Sequence, residues 1–338
     1  MLRGAGLLVA VVAGAGTWAV LNATELRARY AAAKLSAATT DEERAKWADT
    51  LVSSGTPGVR KLAEGLSTDN EPARAAAVAA IEKHLTALPE GDPRAVTISG
   101  TVLDAFPSAN DAGKHAVLRL VPIMLQRTGS VHAPRCREVV AAGLRMPDIE
   151  ARLAAVRLAL HSDLKLRGEV VPLLASPEPQ LRGAALFAVA TSVEGESIVT
   201  DEELFRWLHD ADAGVRKVCH DVLVGRDRSD AEIALGRRLT NPDPTERLKL
   251  LLDLRYDDDV ADPEPWLERL SRDQEPAVRA GAARVAVEVA TARRQPCPAW
   301  VGRVADADLH PTVRFVAAHY RAQPTEAPPD PVRPASGP

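Results

Sequence analysis

The chain has 338 residues and a formal net charge of −4, and only 4% of its residues are aromatic. This length accommodates two ordinary domains or one elongated repeat array. The slightly acidic balance provides no electrostatic footprint for nucleic acid. The scarcity of aromatic side chains favours close helix packing over an aromatic-rich β-sandwich or barrel.

The N-terminal segment predicts a membrane anchor. Residues 4–24 form a run without a charged side chain, and about 20 apolar residues cross the hydrocarbon core of a bilayer. We predict a single transmembrane anchor within residues 1–24 and a juxtamembrane helix over residues 25–39, because the helical pattern continues without a break. A cleaved signal peptide is the main alternative, and a buried soluble helix is the third.

The basic residues around this segment predict its orientation. Arg3 precedes it, and four basic residues follow within about 20 positions: Arg27, Arg29, Lys34 and Arg44. Basic flanks favour the cytoplasmic side. We therefore expect the bulk of the chain in the cytoplasm, with the exported orientation as the alternative.

Several local signals predict helix starts along the chain. Residues 40–43 and 200–203 both read Thr-Asp-Glu-Glu, the pattern of an N-terminal capping box. Residues 89–108 are less periodic, and we predict a variant helix there, not a strand. Trp266 and Trp300 each follow a proline and precede an aliphatic residue by four positions, which predicts two equivalent helices.

An internal repeat is the strongest signal in the chain. Each copy begins with Asp, Asn or Pro, continues with a basic residue that usually follows an aliphatic one, and ends in an alanine-rich amphipathic run. The basic residues recur every 30 to 40 positions, at Arg74, Lys114, Arg152, Arg182, Arg216, Arg247, Arg279 and Arg314. A period in the thirties with two helical patterns per period predicts stacked helical hairpins.

Each position of the repeat has a physical reason. Asp before the helix caps its N-terminus, and Pro in the first turn loses no hydrogen bond. Alanine three and four residues apart lets neighbouring helices approach closely. We expect the repeated arginine to reach the turn aspartate of an adjacent repeat.

The pattern Asp-x-x-Pro-x-Val-Arg-x-x-Ala, as in residues 273–282, resembles the second helix of HEAT and HEAT-like repeats. The resemblance covers about residues 40–322. It implies an all-α fold, a right-handed α-solenoid of the armadillo type with seven to nine stacked antiparallel helical hairpins. The resemblance specifies the architecture and gives almost no information about activity.

The C-terminal segment, residues 323–338, differs from the repeat. It contains six prolines and almost no large apolar residue, so we predict a disordered or extended tail. Residues 331–334, Pro-Val-Arg-Pro, offer a polyproline ligand as the alternative to a solvated tail.

The chain offers no recognisable catalytic, cofactor-binding or metal-binding motif. Its eight histidines follow no Glu-x-x-His or His-x-x-x-His spacing, and residues 257–259, three aspartates, lack the glycine and glutamate of a calcium loop. The three cysteines are far apart, which predicts small buried or half-buried apolar side chains, with one disulfide as the alternative in an exported domain. These cysteines are Cys136, Cys219 and Cys297.

These observations predict a membrane-anchored scaffold or adaptor, not an enzyme. We expect a protein partner on the concave face of the solenoid, contact with the membrane through residues 4–24, and neither nucleic acid, a small-molecule substrate nor a cofactor. One alternative is an enzyme subunit, as in the HEAT-like bilin lyases and chaperones. The other is anion or nucleic-acid binding through the repeated arginines.

Overall fold

The computed structural model describes residues 23–191, 198–256 and 262–322. These residues form α-helices and four short 3-10 segments, and no β-strand occurs among them. The all-helical architecture is consistent with an α-solenoid, and the variant helix expected within residues 89–108 is confirmed. The chain divides into two compact units, Met1–Ile198 and Val199–Pro338.

The first unit contains ten α-helices within its described residues. They are α1 (Ala23–Ala37), α2 (Asp41–Ser53), α3 (Thr56–Gly65), α4 (Glu71–Ala87), α5 (Pro93–Ala105), α6 (Asp111–Thr128), α7 (Ala133–Gly143), α8 (Ile149–Ala159), α9 (Arg167–Val170) and α10 (Pro179–Ala190). Short 3-10 segments, Ser162–Leu164 and Val171–Ala175, flank the four-residue α9.

The helices of the first unit pack in two layers. In the odd layer α1 packs on α3, α3 on α5 and α5 on α7, while in the even layer α2 packs on α4 and the series continues through α6 and α8 to α10. The most extensive contacts join helices one or two places apart in the chain. Such nearest-neighbour packing is typical of helical-repeat stacks.

Helix α1 is part of this stack. The sequence assigned most of it to a separate juxtamembrane segment, but it packs against both α2 and α3. Ala28, Ala31 and Leu35 form its buried stripe at helical spacing. Residues 4–22 of the predicted anchor lie outside the described residues. Within those that are described, no helix combines the length and apolarity needed to cross a bilayer.

The second unit contains eight α-helices within its described residues. They are α11 (Asp201–Trp207), α12 (Ala213–Gly225), α13 (Asp230–Leu239), α14 (Pro244–Tyr256), α15 (Glu264–Leu270), α16 (Pro276–Ala292), α17 (Ala299–Ala307) and α18 (Pro311–Arg321). The two tryptophan-bearing helices predicted from the sequence are α15 and α17.

The second unit repeats the same two-layer packing. In its even layer α14 packs on α16 and α16 on α18, while in its odd layer α11 packs on α13. Gly236 allows the close approach of α13 to α11, because a Cβ atom there would lie 2.4 Å from the ring of Phe205. The buried leucines, valines and alanines of α14 to α18 form the core of this unit.

Local capping sets several of the helix starts. The box predicted at Thr200 is complete, since its side chain accepts from the backbone of Glu203 and the Glu203 carboxylate accepts from the Thr200 backbone. At Thr40 the hydroxyl accepts from Glu43 in the same way, but the Glu43 carboxylate instead accepts from the backbone N–H of Thr39.

Candidate functional site

The repeated arginines bind the turn that precedes their own helix. Arg279 donates from Nη1 to the carbonyl oxygens of Asp273 and Gln274, at 2.8 and 3.0 Å. The same hydrogen bond to the carbonyl six residues earlier is made by Arg74, Arg182, Arg216, Arg247 and Arg314. Sequence reasoning missed this contact, although the fixed spacing between turn and arginine carried the signal.

Two of these arginines, and Arg152 of the same series, reach an acid of the next repeat, as the sequence predicted. The Arg247 guanidinium bonds Asp273 at 2.7 and 2.8 Å, and Arg279 bonds Asp308 at 2.7 and 3.0 Å. Arg152 bonds Glu178 at 3.2 Å. The hydrogen bonds from Arg279 lower the pKa of Asp308.

These contacts give the arginine series a structural role within each unit. The guanidinium groups of Arg247 and Arg279 are largely buried, with side-chain exposures of 12% and 14%. Their donors are engaged by turn carbonyls and by carboxylates. This is the arrangement that an internal arginine–acid ladder requires, and it occupies the groups that an anion-binding stripe would need to present.

The histidines and cysteines are dispersed. Among the described residues, no group of three or more His, Cys, Asp or Glu side chains is placed to hold a metal ion. The residues of the aspartate triplet, 257–259, lie outside the described part of the chain, as do residues 323–338. His132 and His209 each place Nε2 2.8 Å from a backbone carbonyl oxygen, on Val96 and Arg237 respectively.

All three cysteines are free thiols. Burial raises the pKa of Cys136 to about 11 and that of Cys219 to about 12. Both behave as the small apolar side chains that the sequence predicted. Cys297 is exposed, so the prediction of a buried or half-buried side chain is wrong for this residue.

A pocket of about 430 Å³ lies in the second unit, where the helices α13 and α15 end. Two carboxylates and four guanidinium groups are among its lining side chains. These side chains are Glu202, Arg206, Arg247, Arg269, Arg272 and Asp273. The pocket combines residues from α11 and α15, which are separated by about 60 positions in the chain.

Arg269 has an aromatic support in this pocket. Its guanidinium carbon lies 5.0 Å from the ring centroid of Trp266 and 5.9 Å from that of Phe205. The two rings are 6.4 Å apart at an interplanar angle of 47°. Cation–π contacts of this kind restrain the planar guanidinium, whose N–H donors point outward in the guanidinium plane.

A second pocket, of about 400 Å³, lies in the first unit. Val52, Val59 and Ile98 form a buried apolar floor. Its arginine, Arg94, is already bound by both carboxylate oxygens of Asp92. This pocket therefore offers apolar surface and no unpaired arginine.

The even layer of the second unit exposes large apolar side chains. Leu248 and Leu252 lie one turn apart on α14 and are 36% and 56% exposed, and Phe315 on α18 is 73% exposed. We call these three residues the even-layer patch. Among the described residues of the same unit, the odd helices carry no exposed large apolar side chain.

Helix α16 lies between the two parts of this patch. A Cβ added at Gly281 would lie 2.6 Å from the buried Leu251 and 3.9 Å from the side chain of Leu248. Arg284 lies over the ring of Tyr320 on α18, at 5.7 Å from the centroid. The surface between the patch residues thus combines a glycine, an arginine and an aromatic ring.

Neither a scan against protein-family models nor a search of curated proteins found a match for the chain.

Proposed function

We propose that this chain is a scaffold or adaptor of the HEAT-like type that binds another protein through the even-layer patch. The proposal includes a right-handed superhelix with the even layer on its concave side. It also includes a single membrane anchor within residues 4–24, with the bulk of the chain in the cytoplasm. Catalysis by the chain itself has no part in it.

The exposure of Leu248, Leu252 and Phe315 is the observation that carries the proposal. In a two-layer stack, one stripe of each helix is buried against its neighbours, and the outer stripe is free to be polar. Large apolar side chains on that outer stripe lose the favourable free energy of burial, about 25 cal/mol per Å². Clusters of such side chains are typical of protein interaction surfaces.

The partner that fits this surface is a protein segment with an apolar face. Leu248 and Leu252 present two side chains one helical turn apart, a spacing that matches an apolar stripe on a second helix. The adjacent Arg284 is paired with Glu288 at 2.9 Å, so the apolar side chains and not a free charge define the surface. Solenoids bind partners along such extended surfaces because each repeat contacts only its neighbours.

Affinity capture of the full chain from detergent-solubilised membranes tests the proposal. We expect one protein to be recovered in stoichiometric amount, and to be depleted at least tenfold with the double variant L248S/L252S. Val131→Ser is the matched control, because Val131 is 60% exposed in the first unit, and it should leave recovery unchanged. Absence of a stoichiometric partner, or equal recovery with both variants, would contradict the proposal.

The membrane part of the proposal has a separate test. After alkaline extraction of membranes, the full chain should remain in the pellet if residues 4–24 are inserted. Release into the supernatant would refute the anchor and leave the protein-binding proposal standing.

A further inference from the structure

We infer that the pocket of the second unit is a receptor for a carboxylate group, with Arg269 as the residue that binds it. This site is distinct from the even-layer patch, because it is built from α11, α15 and the turns that follow α13 and α15. It therefore adds a second kind of ligand to the proposed scaffold.

Three of the four arginines that line the pocket are paired with carboxylates. Arg206 bonds Glu202 at 2.9 Å, and Arg247 bonds Asp273 at 2.7 Å. Arg272 bonds Glu268 at 3.0 Å. By contrast, the Arg269 guanidinium contacts the rings of Trp266 and Phe205 and pairs with no carboxylate of the described residues. It is the cation left without an acid among the described residues that line the pocket.

The guanidinium of Arg269 is preorganised for binding. Arg269 is half-buried on α15, and the rings of Trp266 and Phe205 limit the orientations of its guanidinium. Phe205 is itself 1% exposed, so this support is anchored in the core. A restrained guanidinium binds a carboxylate through two parallel N–H···O hydrogen bonds with little further loss of side-chain freedom.

The charges that line the pocket favour an anionic ligand. Glu202 and Asp273 pair with lining arginines, and Glu268 is shared by Arg272 and Arg303, so the pocket carries a net positive charge. The carbonyl ends of α13 and α15 lie at its edge, and a helix C-terminus carries a partial negative charge. A carboxylate matches the one lining guanidinium that has no acidic partner among the described residues, because two parallel N–H···O hydrogen bonds engage both of its oxygens.

The pocket volume of about 430 Å³ lies within the range of small-ligand sites. An acidic side chain of a polypeptide and a free small carboxylic acid share the chemistry required. The experiment therefore uses three probes on the full-length protein, with binding measured by ligand-detected NMR. The probes are propionate, the peptide acetyl-Ala-Glu-Ala-amide and inorganic phosphate.

We expect a carboxylate probe to bind more tightly than phosphate. Binding of the peptide alone would identify a polypeptide ligand, and equal binding of propionate would identify a free small acid. Arg269→Ala should weaken the preferred probe at least tenfold. Arg269→Lys should weaken it about threefold to fivefold, since it keeps the charge and loses the paired hydrogen bonds.

Arg303→Ala is the matched control. Arg303 is 67% exposed, is paired with Glu268 at 3.1 Å, and does not line the pocket, so affinity should change less than twofold. The Lys variant preserves the charge on the aromatic support and keeps the test valid if the Ala variant does not fold. Absence of binding by both carboxylates, tighter binding of phosphate, or unchanged affinity in both Arg269 variants would overturn the inference.

Discussion

Replacing Arg279 with alanine should loosen the end of the second unit. Its guanidinium donates four hydrogen bonds, two to the carboxylate of Asp308 and two to the carbonyls of Asp273 and Gln274. The side chains of Arg279 and Asp308 are 14% and 8% exposed. Removing the arginine leaves the carboxylate with the backbone N–H of His310, at 2.8 Å, as its remaining donor within the described residues.

The magnitude follows from this geometry. Breaking a buried ion pair by removing one partner costs about 3 to 5 kcal/mol, and the Asp308 side chain is 8% exposed in a residue that is partly buried as a whole. Water can enter the space left by the arginine, so we expect the lower end, about 3 kcal/mol. Arg303 is the control, because its side chain is 67% exposed in the 3.1 Å pair with Glu268 and exposed pairs contribute about 0.2 to 1 kcal/mol.

Native-state hydrogen exchange on the full-length protein measures the difference. Because repeat stacks transmit a local change mainly to neighbours, exchange should rise in α16 to α18 and stay unchanged in the first unit. A loss of about 3 kcal/mol corresponds to exchange on the order of 100-fold faster. If R279A and R303A behaved alike, the assignment of a stabilising ladder to the repeated arginine would be refuted.

Three further predictions use other parts of the chain. Since Arg279 holds the pKa of Asp308 below its ordinary value, the pair should stabilise α17 and α18 at neutral pH and lose that contribution as the pH falls below about 4. The amide hydrogen-exchange rate of α17 and α18, corrected for its intrinsic pH dependence, should show this loss of stability in the wild-type protein. The D308N variant should show a much smaller loss. Gly236→Ala should lower the free energy of unfolding in urea by about 1 to 3 kcal/mol, because the added Cβ would meet Phe205 at 2.4 Å. Gly225→Ala, with no atom within 4 Å of the added Cβ, should be neutral or stabilising, and equal effects would disprove the packing argument. A maleimide at pH 8 should label Cys297 alone in the native protein and all three thiols in urea; early labelling of a buried thiol would contradict its burial and raised pKa.

Much of the fold could be predicted because its determinants are local. Capping residues such as Thr200, prolines in the first helical turn and apolar residues at helical spacing act within about four positions of one another. The recurrence of the turn and its basic residue every 30 to 40 positions predicted the hairpin period. The helix α5 lies in a less periodic stretch, so its pattern was weaker. In the structure, the Asp92 side chain caps its N-terminus.

The candidate sites could not be predicted in the same way. The sequence marked the repeated arginines as possible binding groups, yet Arg247 and Arg279 are engaged inside the unit. Arg269, outside the repeat pattern, has no acidic partner among the described residues. No local rule distinguishes these arginines, because all of them lie on amphipathic helices. Their difference depends on which side chains α11 and α15 bring together.

The amino-acid sequence by itself determined that this chain is helical, that its helices come in pairs and where most of them begin, because hydrogen bonds and capping contacts within a helix involve neighbouring residues. Tertiary structure alone decided that α1 joins the stack and that Arg269 rests on Phe205 and Trp266. Those outcomes depend on packing between helices, where the free energy of a contact is set by its surroundings and not by residue type.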